Sequence, residues 1–543
     1  MLKSLQIENF KAFGARVIIP LAPITLIYGE NSAGKSSILH CLQLLCQTLA
    51  SRQKESALVP RSQNGDRDFG SFKDMVFDHN TNLAIRFRVE TEKKSKHILE
   101  LLSNEPAIHT QQSKMEFSFV RKTSENEISL NEISIFDANC DEPLASFSRD
   151  PTKVATFERY FFDPEPQMRY CRKGPFPLRL SYADVTSPFW ERQYPKFLEF
   201  KKAFLRSIDD VSEEIAAALH QYDQLGTQDD DGWGDLEDQE FEMQLLQELF
   251  HQEMSVEFFR NFVIDYNSHY YLSLFSFLPE KYNLFYDRDI VQYTIDKAIN
   301  SLTYPNFPDL CREAVESGLQ IAKHLLNIFT LGPFRNPPSR WYAFSGTNPV
   351  DVGANGQSLP DLLFRNDEVR EDTNKWLGRL DMGYEIKTRC LGGRDSDLYE
   401  LKLRDTRRKK SVEVGMADVG FGVSQVLPLI AQSVAGTGQT ITVEQPEVHI
   451  HPRLQADLAD LLIETSLPPR DNQFLIETHS EHLALRLLRR VREKAISPDH
   501  ISLLYVSRGP TGSKVHRLRI DEEGRFLDDF PGGFFPERLQ ELG

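Results

Sequence analysis

Apolar and polar residues alternate along LKSLQIENF (2–10) and ARVIIPL (15–21), the period-two pattern of strands that bury one face. PITLIYG (23–29) is a short continuous apolar run, suited to a buried strand, and it feeds into GENSAGKSSILHCLQLL, where the apolar spacing turns helical after the loop. Between 83 and 136 the segments LAIRFRVE, HILELL, MEFSFV and EISIF predict an antiparallel meander. Helical spacing then dominates 196–330, in FLEFKKAFLRSI, EEIAAALHQY, FEMQLLQELFHQEM and CREAVESGLQIAKHLLNIF. Past the proline-rich joint LGPFRNPPSRWY the pattern returns to strands in YEIKTR, LYELKLR and SVEVG. From 418 to 507 strands and helices alternate, as in a parallel α/β sheet. The expected fold class is therefore α/β: a mixed-sheet head assembled from the N- and C-terminal segments, with an antiparallel β subdomain and a mostly α-helical insertion. The expected parts are 1–150, an insertion at 151–330, and 331–543.

With 543 residues the chain is long enough for two or three domains, and 40% hydrophobic with 26% charged residues is an ordinary globular composition. No run of eighteen apolar residues occurs, and MLKSLQIENFKAFG lacks the apolar core of a signal peptide, so the expected location is cytoplasmic, without membrane contact. Six cysteines are scattered with no CxxC pair, which argues against a zinc site or a disulfide framework. The net charge of −17 is local: residues 207–259 hold sixteen acidic and no basic residues, all but one of the excess. Such a block reads as a solvated stretch or as a docking patch for a basic partner, and it leaves a basic surface elsewhere open.

Candidate chemistry begins with Gly29-Glu-Asn-Ser-Ala-Gly34-Lys35-Ser36, which fits G-x-x-x-x-G-K-[ST] between a predicted strand and a predicted helix. Glycines let backbone N–H groups wrap phosphates, Lys35 reaches the β/γ-phosphates of ATP and Ser36 ligates Mg²⁺; Asn31 and Ser37 complete the candidate nucleotide ligands. ITVEQ ends in Glu444, suited to hold Mg²⁺. QFLIETHS is another apolar strand, running into His479, which reads either as a structural histidine or as a residue that contacts the γ-phosphate. Asp418-Val-Gly-Phe-Gly422-Val-Ser424-Gln425 is a glycine-rich turn opening a helix, a second anion-binding helix start in the same chain. One nucleotide per chain does not need two such cradles.

This order of motifs resembles the ATP-binding-cassette heads of recombination and chromosome-maintenance ATPases and of overcoming-lysogenization-defect (OLD) ATPases. The resemblance implies an ABC-ATPase-like head of AAA type that pairs as a homodimer or higher even oligomer. ATP would lie between the P-loop of one chain and the Gly422, Ser424 and Gln425 motif of another. HIHPRLQ is similar to the family's inter-subunit loop, and His479 to its switch histidine. DFPGGFFPERLQEL, LGPFRNPPSRWY and DVGANGQ resemble the Septu anti-phage ATPase subgroup, some members of which accompany retrons. That implies an HNH-type nuclease partner, with a retron reverse transcriptase and its DNA.

Two positions depart from the cassette pattern. Gln445 stands where the general base belongs; an amide can orient water but not take its proton, so slow hydrolysis is expected, with Glu447 two residues on as a further catalytic candidate. Gln63 is the candidate for the glutamine that offers itself to Mg²⁺. Asp521-Glu-Glu reads as a surface turn, and no metal-binding acidic domain follows His479, so no intrinsic nuclease is expected. Basic clusters at 404–410 and 486–494 fit either phosphate contact or ordinary surface. The competing readings are a regulatory ATPase of a defence complex, a free-standing DNA repair or recombination ATPase that clamps DNA, and a nucleotide-binding scaffold without turnover.

Overall fold

The computed structural model describes residues 1–51, 57–61, 67–92, 112–121, 127–137, 140–148, 178–183, 270–275, 278–284, 310–392, 397–407 and 412–529, with single positions 195, 198 and 202. Gln63, HILELL, the acidic block 207–259, residues 408–410 and most of DFPGGFFPERLQEL lie outside them. The chain divides into two units, one of Met1–Glu92, Ser118–Ser129 and Ile321–Gly543, the other of Lys93–Phe117 and Leu130–Gln320.

The first unit is the head. Its strands are β1 (Leu2–Glu8), β2 (Val17–Pro20), β3 (Ile24–Gly29), β4 (Ile85–Glu92), β5 (Ile328–Leu331), β6 (Tyr384–Cys390), β7 (Leu398–Asp405), β8 (Glu413–Gly415), β9 (Thr440–Glu444), β10 (Gln473–Glu477), β11 (Ile501–Ser507) and β12 (Lys514–Leu518). Its helices include α1 (Lys35–Ala50), α2 (Leu359–Arg365), α3 (Asp367–Arg379), α4 (Phe421–Ala435), α5 (Pro452–Ser466) and α6 (Glu481–Arg492). The central sheet runs β5-β9-β10-β3-β11-β12, parallel throughout except for β12. Every residue of β9 and β10 is buried, the polar Thr440, Thr442 and Gln473 included, so both faces of these strands are covered.

Both ends of the chain build this sheet, as the sequence suggested. Strand β3 lies between β10 and β11, more than 440 residues later in sequence. Gln473 fastens the join: its amide donates to the carbonyls of Leu2 (2.7 Å) and Ala22 (3.2 Å), and its oxygen accepts from Leu2 N and Thr440 Oγ1. The antiparallel β subdomain is present in β2-β1-β4.

In the second unit the strands Ile128–Phe136, Pro143–Ser148, Leu178–Ala183, Tyr270–Phe275 and Leu278–Leu284 pair antiparallel in chain order. Within the region expected to be helical, Leu178–Ala183, Tyr270–Phe275 and Leu278–Leu284 are strands, while EEIAAALHQY, FEMQLLQELFHQEM and nearly all of FLEFKKAFLRSI lie outside the described residues. The helix read through residue 329 ends at Leu326, and IFTL forms β5 beside the acid strand β9. A four-residue apolar run cannot be assigned by period alone. Lys323 and His324 in the last helical turn were the available stop signal.

Candidate functional site

The loop from β3 to α1 is built on two glycines in the left-handed range. At Gly29 (φ 142°) a Cβ would stand 2.1 Å from the Val506 carbonyl oxygen, and at Gly34 (φ 97°) 2.6 Å from Ala12 Cβ. Only glycine lets the loop pass this close to β11 and to the 10–13 turn. Arg508 donates to the Asn31 carbonyl (2.8 Å) and steadies the tip. Lys35 is buried and folded back, its Nζ donating to the carbonyls of Gly29 (3.0 Å) and Glu30 (2.8 Å); burial holds its ammonium below the ordinary lysine value. Ser37 lies buried in the first turn of α1, its N–H donating to the Gly34 carbonyl.

Strand β10 is interposed between the P-loop strand β3 and the acid strand β9. Its last residue, Glu477, lies in register with Glu444, and both are 5% exposed. The Ser36 hydroxyl is close to the Glu477 carboxylate, whose proton affinity is raised by burial against the opposing influence of that hydroxyl and of Lys35. Sequence reasoning passed over Glu477 in favour of His479. The signal was an acid ending an otherwise apolar strand, the same signal that singled out Glu444.

Beyond Glu444 the chain turns sharply. Gln445 adopts a left-handed conformation (φ 48°), and its N–H donates to the Glu477 carbonyl (2.8 Å). Glu447 reaches across to the end of β10: one oxygen accepts from Thr478 Oγ1 and the other from His479 N, each at 2.7 Å. His479 is exposed, and its imidazole is held below the usual histidine value by partial burial and by Lys35. Lys35, Ser36, Glu444, Glu447, Glu477 and His479 therefore gather along the C-terminal edges of β3, β10 and β9, where open parallel sheets bind ligands.

Three basic groups that sequence reading did not select surround Glu444. Arg67 Nη1 donates to Glu444 Oε1 at 2.5 Å. His40, on α1, places Nε2 3.8 Å from the same oxygen, and its Nδ1 accepts from Lys11 Nζ at 3.0 Å. Burial and the charges of Lys11 and Arg67 press the His40 imidazole down to about 2, so it stays neutral; burial and Arg67 lower Lys11 to about 8. Arg67 comes from the segment searched for Gln63.

The joint residues Arg335 and Arg340 are tied to the head motifs. Buried Arg335 donates to the Glu444 carbonyl (3.3 Å), and Arg340 makes a two-pronged pair with Asp418 (2.7 and 3.2 Å). Helix α4 begins at Phe421, so Ser424 and Gln425 are buried within its opening turns. A Cβ on Gly422 would stand 2.9 Å from the His449 carbonyl, so α4 lies close against the loop after β9. His451 accepts from Arg453 N as the N-cap of α5, a structural task.

The described members of the basic clusters are largely paired with acids, while Arg408, Lys409 and Lys410 lie outside the described residues. Arg486 and Arg490 both pair with Asp460, Arg486 also with Asp457, and Arg489 and Arg490 with Glu493. Arg404 pairs with Glu385 and Arg407 with Asp405. Among the described residues no helix is long and apolar enough to cross a membrane.

Residues 24–486 match a family model described as "AAA domain, putative AbiEii toxin, Type IV TA system" (AAA_21). Residues 496–543 match a second, "Protein of unknown function (DUF3696)". No curated protein matches the chain. Among solved structures, the chain is similar to the Smc head domain with an extended coiled coil bound to the C-terminal domain of ScpA derived from Pyrococcus furiosus, at 12% identity and a TM-score of 0.37, over 100% of this chain and 98% of that one. Against the SMC head domain from Thermotoga maritima the identity is 11% and the TM-score 0.36, over 96% and 99% of the two chains.

Proposed function

The chain belongs to the AAA_21 family of P-loop ATPases, and from that premise we propose that it binds and slowly hydrolyses Mg-ATP as the regulatory subunit of a prokaryotic anti-phage defence complex. Heads pair around ATP, and the paired state restrains or positions a partner nuclease of the HNH Septu type, with a retron reverse transcriptase and its DNA as further partners. One observation carries the ATPase reading: Lys35, Ser36 and Glu444 converge on one sheet edge beside a loop that only glycine can trace. The toxin–antitoxin wording of the family description supports the defence setting.

The residues present fit the group. Backbone N–H groups of 29–36 cradle phosphates, Lys35 is the cation for the β/γ-phosphates, and Ser36 with Glu444 holds the metal. Mg²⁺, when bound, neutralises charge on the phosphate oxygens. Gln445 can orient water but cannot accept its proton, and both oxygens of Glu447 are already engaged by Thr478 and His479. Neither neighbour is a free base, which supports slow turnover and an ATP-bound state that persists. The pairing of Arg486 and Arg490 with acids of α5 favours partner control over direct clamping of DNA.

Steady-state hydrolysis by wild type, Lys35→Ala and Gln445→Glu tests the first half of the reading. Wild type should turn over slowly, Lys35→Ala not at all, and Gln445→Glu faster. Equal rates in wild type and Lys35→Ala would remove the ATPase claim. The second half is tested by purifying the tagged chain from its native setting with Mg-ATP: a stoichiometric nuclease supports control, whereas a bare dimer holding DNA points to a repair clamp.

A further inference from the structure

Glu444 and Glu477 end adjacent parallel strands as register partners. Such strands run about 4.8 Å apart, and in-register residues project to the same face. Two buried carboxylates so close repel each other unless a cation or a proton intervenes. Glu444 has its cation in Arg67. Glu477 has the Ser36 hydroxyl and the nearby charge of Lys35, whose own donors are directed at the Gly29 and Glu30 carbonyls. The other oxygen of Glu477, Oε2, is sealed from solvent and, among the described residues, has no hydrogen-bond partner. A buried acceptor left in this way destabilises the fold unless a ligand meets it.

We propose that Glu477 is a direct ligand of the divalent cation, forming with Ser36 and Glu444 a Mg²⁺ site that the chain can fill without nucleotide. Among the described residues no three His, Cys, Asp or Glu side chains form a metal cage. Two carboxylates and a hydroxyl, with water for the remaining positions, suit Mg²⁺, which is seldom held by an all-protein cage. The ion would compete with Arg67 for Glu444, so arginine and metal are alternative cations on one acid. The inference takes from the ATPase reading only the identity of the physiological ion.

The test uses the full chain, freed of nucleotide and metal by EDTA and dialysis. It is titrated with Mn²⁺ while the electron paramagnetic resonance signal of the free ion is followed. Saturable uptake of one Mn²⁺ per chain is expected, weakened about tenfold or more in Glu477→Gln, as loss of a group that shapes a metal site requires, and strengthened in Arg67→Gln. Glu477→Asp keeps the charge and should retain more affinity than Glu477→Gln. No uptake by either wild type or Arg67→Gln, or equal uptake by wild type and a folded Glu477→Gln, overturns the proposal. A fluorescent ATP analogue added with Mg²⁺ to a second sample separates the two readings. Mn²⁺ uptake without nucleotide binding supports this site and removes the ATPase, while nucleotide binding without prior Mn²⁺ uptake removes this site alone.

Discussion

The Glu447 carboxylate accepts the backbone N–H of His479 at 2.7 Å, and so the loop after the acid strand is clasped to the end of the neighbouring strand. Its second oxygen takes the Thr478 hydroxyl at the same distance. Removing the side chain in Glu447→Ala strands both donors, one of them on fully buried Thr478, at a cost of about 1–3 kcal/mol. Urea denaturation should show that loss. Glu447→Gln, which keeps one acceptor oxygen, should lose less, and a variant as stable as wild type would mean that the clasp is not formed in solution.

His40 makes stability fall in acid. The unfolded chain takes up a proton near the ordinary histidine value of 6.5, whereas the folded chain resists it down to about 2 because burial, Lys11 and Arg67 all oppose the charge. Between these values the unfolded state binds more protons, so stability rises with pH across the window and is lost as pH drops below 6.5. The urea midpoint of wild type should fall between pH 7 and pH 5 by more than that of His40→Gln. Parallel falls in the two proteins would contradict the assignment.

Arg486 and Arg490 lie against Asp457 and Asp460 with side chains 18% and 29% exposed. Arg486→Ala should therefore lower stability by about 1 kcal/mol, because Asp457 loses its short pair while Asp460 keeps Arg490. DNA affinity, measured by fluorescence anisotropy at two salt concentrations, should be unchanged. A weaker affinity with a shallower salt slope would instead make this helix a phosphate-contacting face.

Gln473 joins segments from the two ends of the chain through four buried hydrogen bonds. Gln473→Leu leaves the Leu2 and Ala22 backbone groups without it, and the midpoint of denaturation should drop by the equivalent of about 2 kcal/mol or more. A drop of under half that would show that water or a rearranged β1 replaces the amide.

Much of the nucleotide site is local, and local features can be read from residue order. The apolar run 24–28, the glycines that permit the turn, and Lys35 and Ser36 at the start of α1 lie within thirteen residues. The runs ending in Glu444 and Glu477 carry no charge before their final acid, and β9 and β10 are covered on both faces. Boundaries were harder: β5 was absorbed into the preceding helix because IFTL is too short to show a period.

What residue order could not contain is which strand lies beside which. The placement of β10 between β3 and β9 turns Glu477 from one more acid at a strand end into the register partner of Glu444 and a neighbour of Ser36. The same packing brings Arg67, 377 positions from Glu444 in the chain, to 2.5 Å from its carboxylate, and sets neutral His40 beside them. Charge and hydrogen bonding act through distance in space, and for residues hundreds of positions apart that distance is set by the sheet order and by the burial that closes around it.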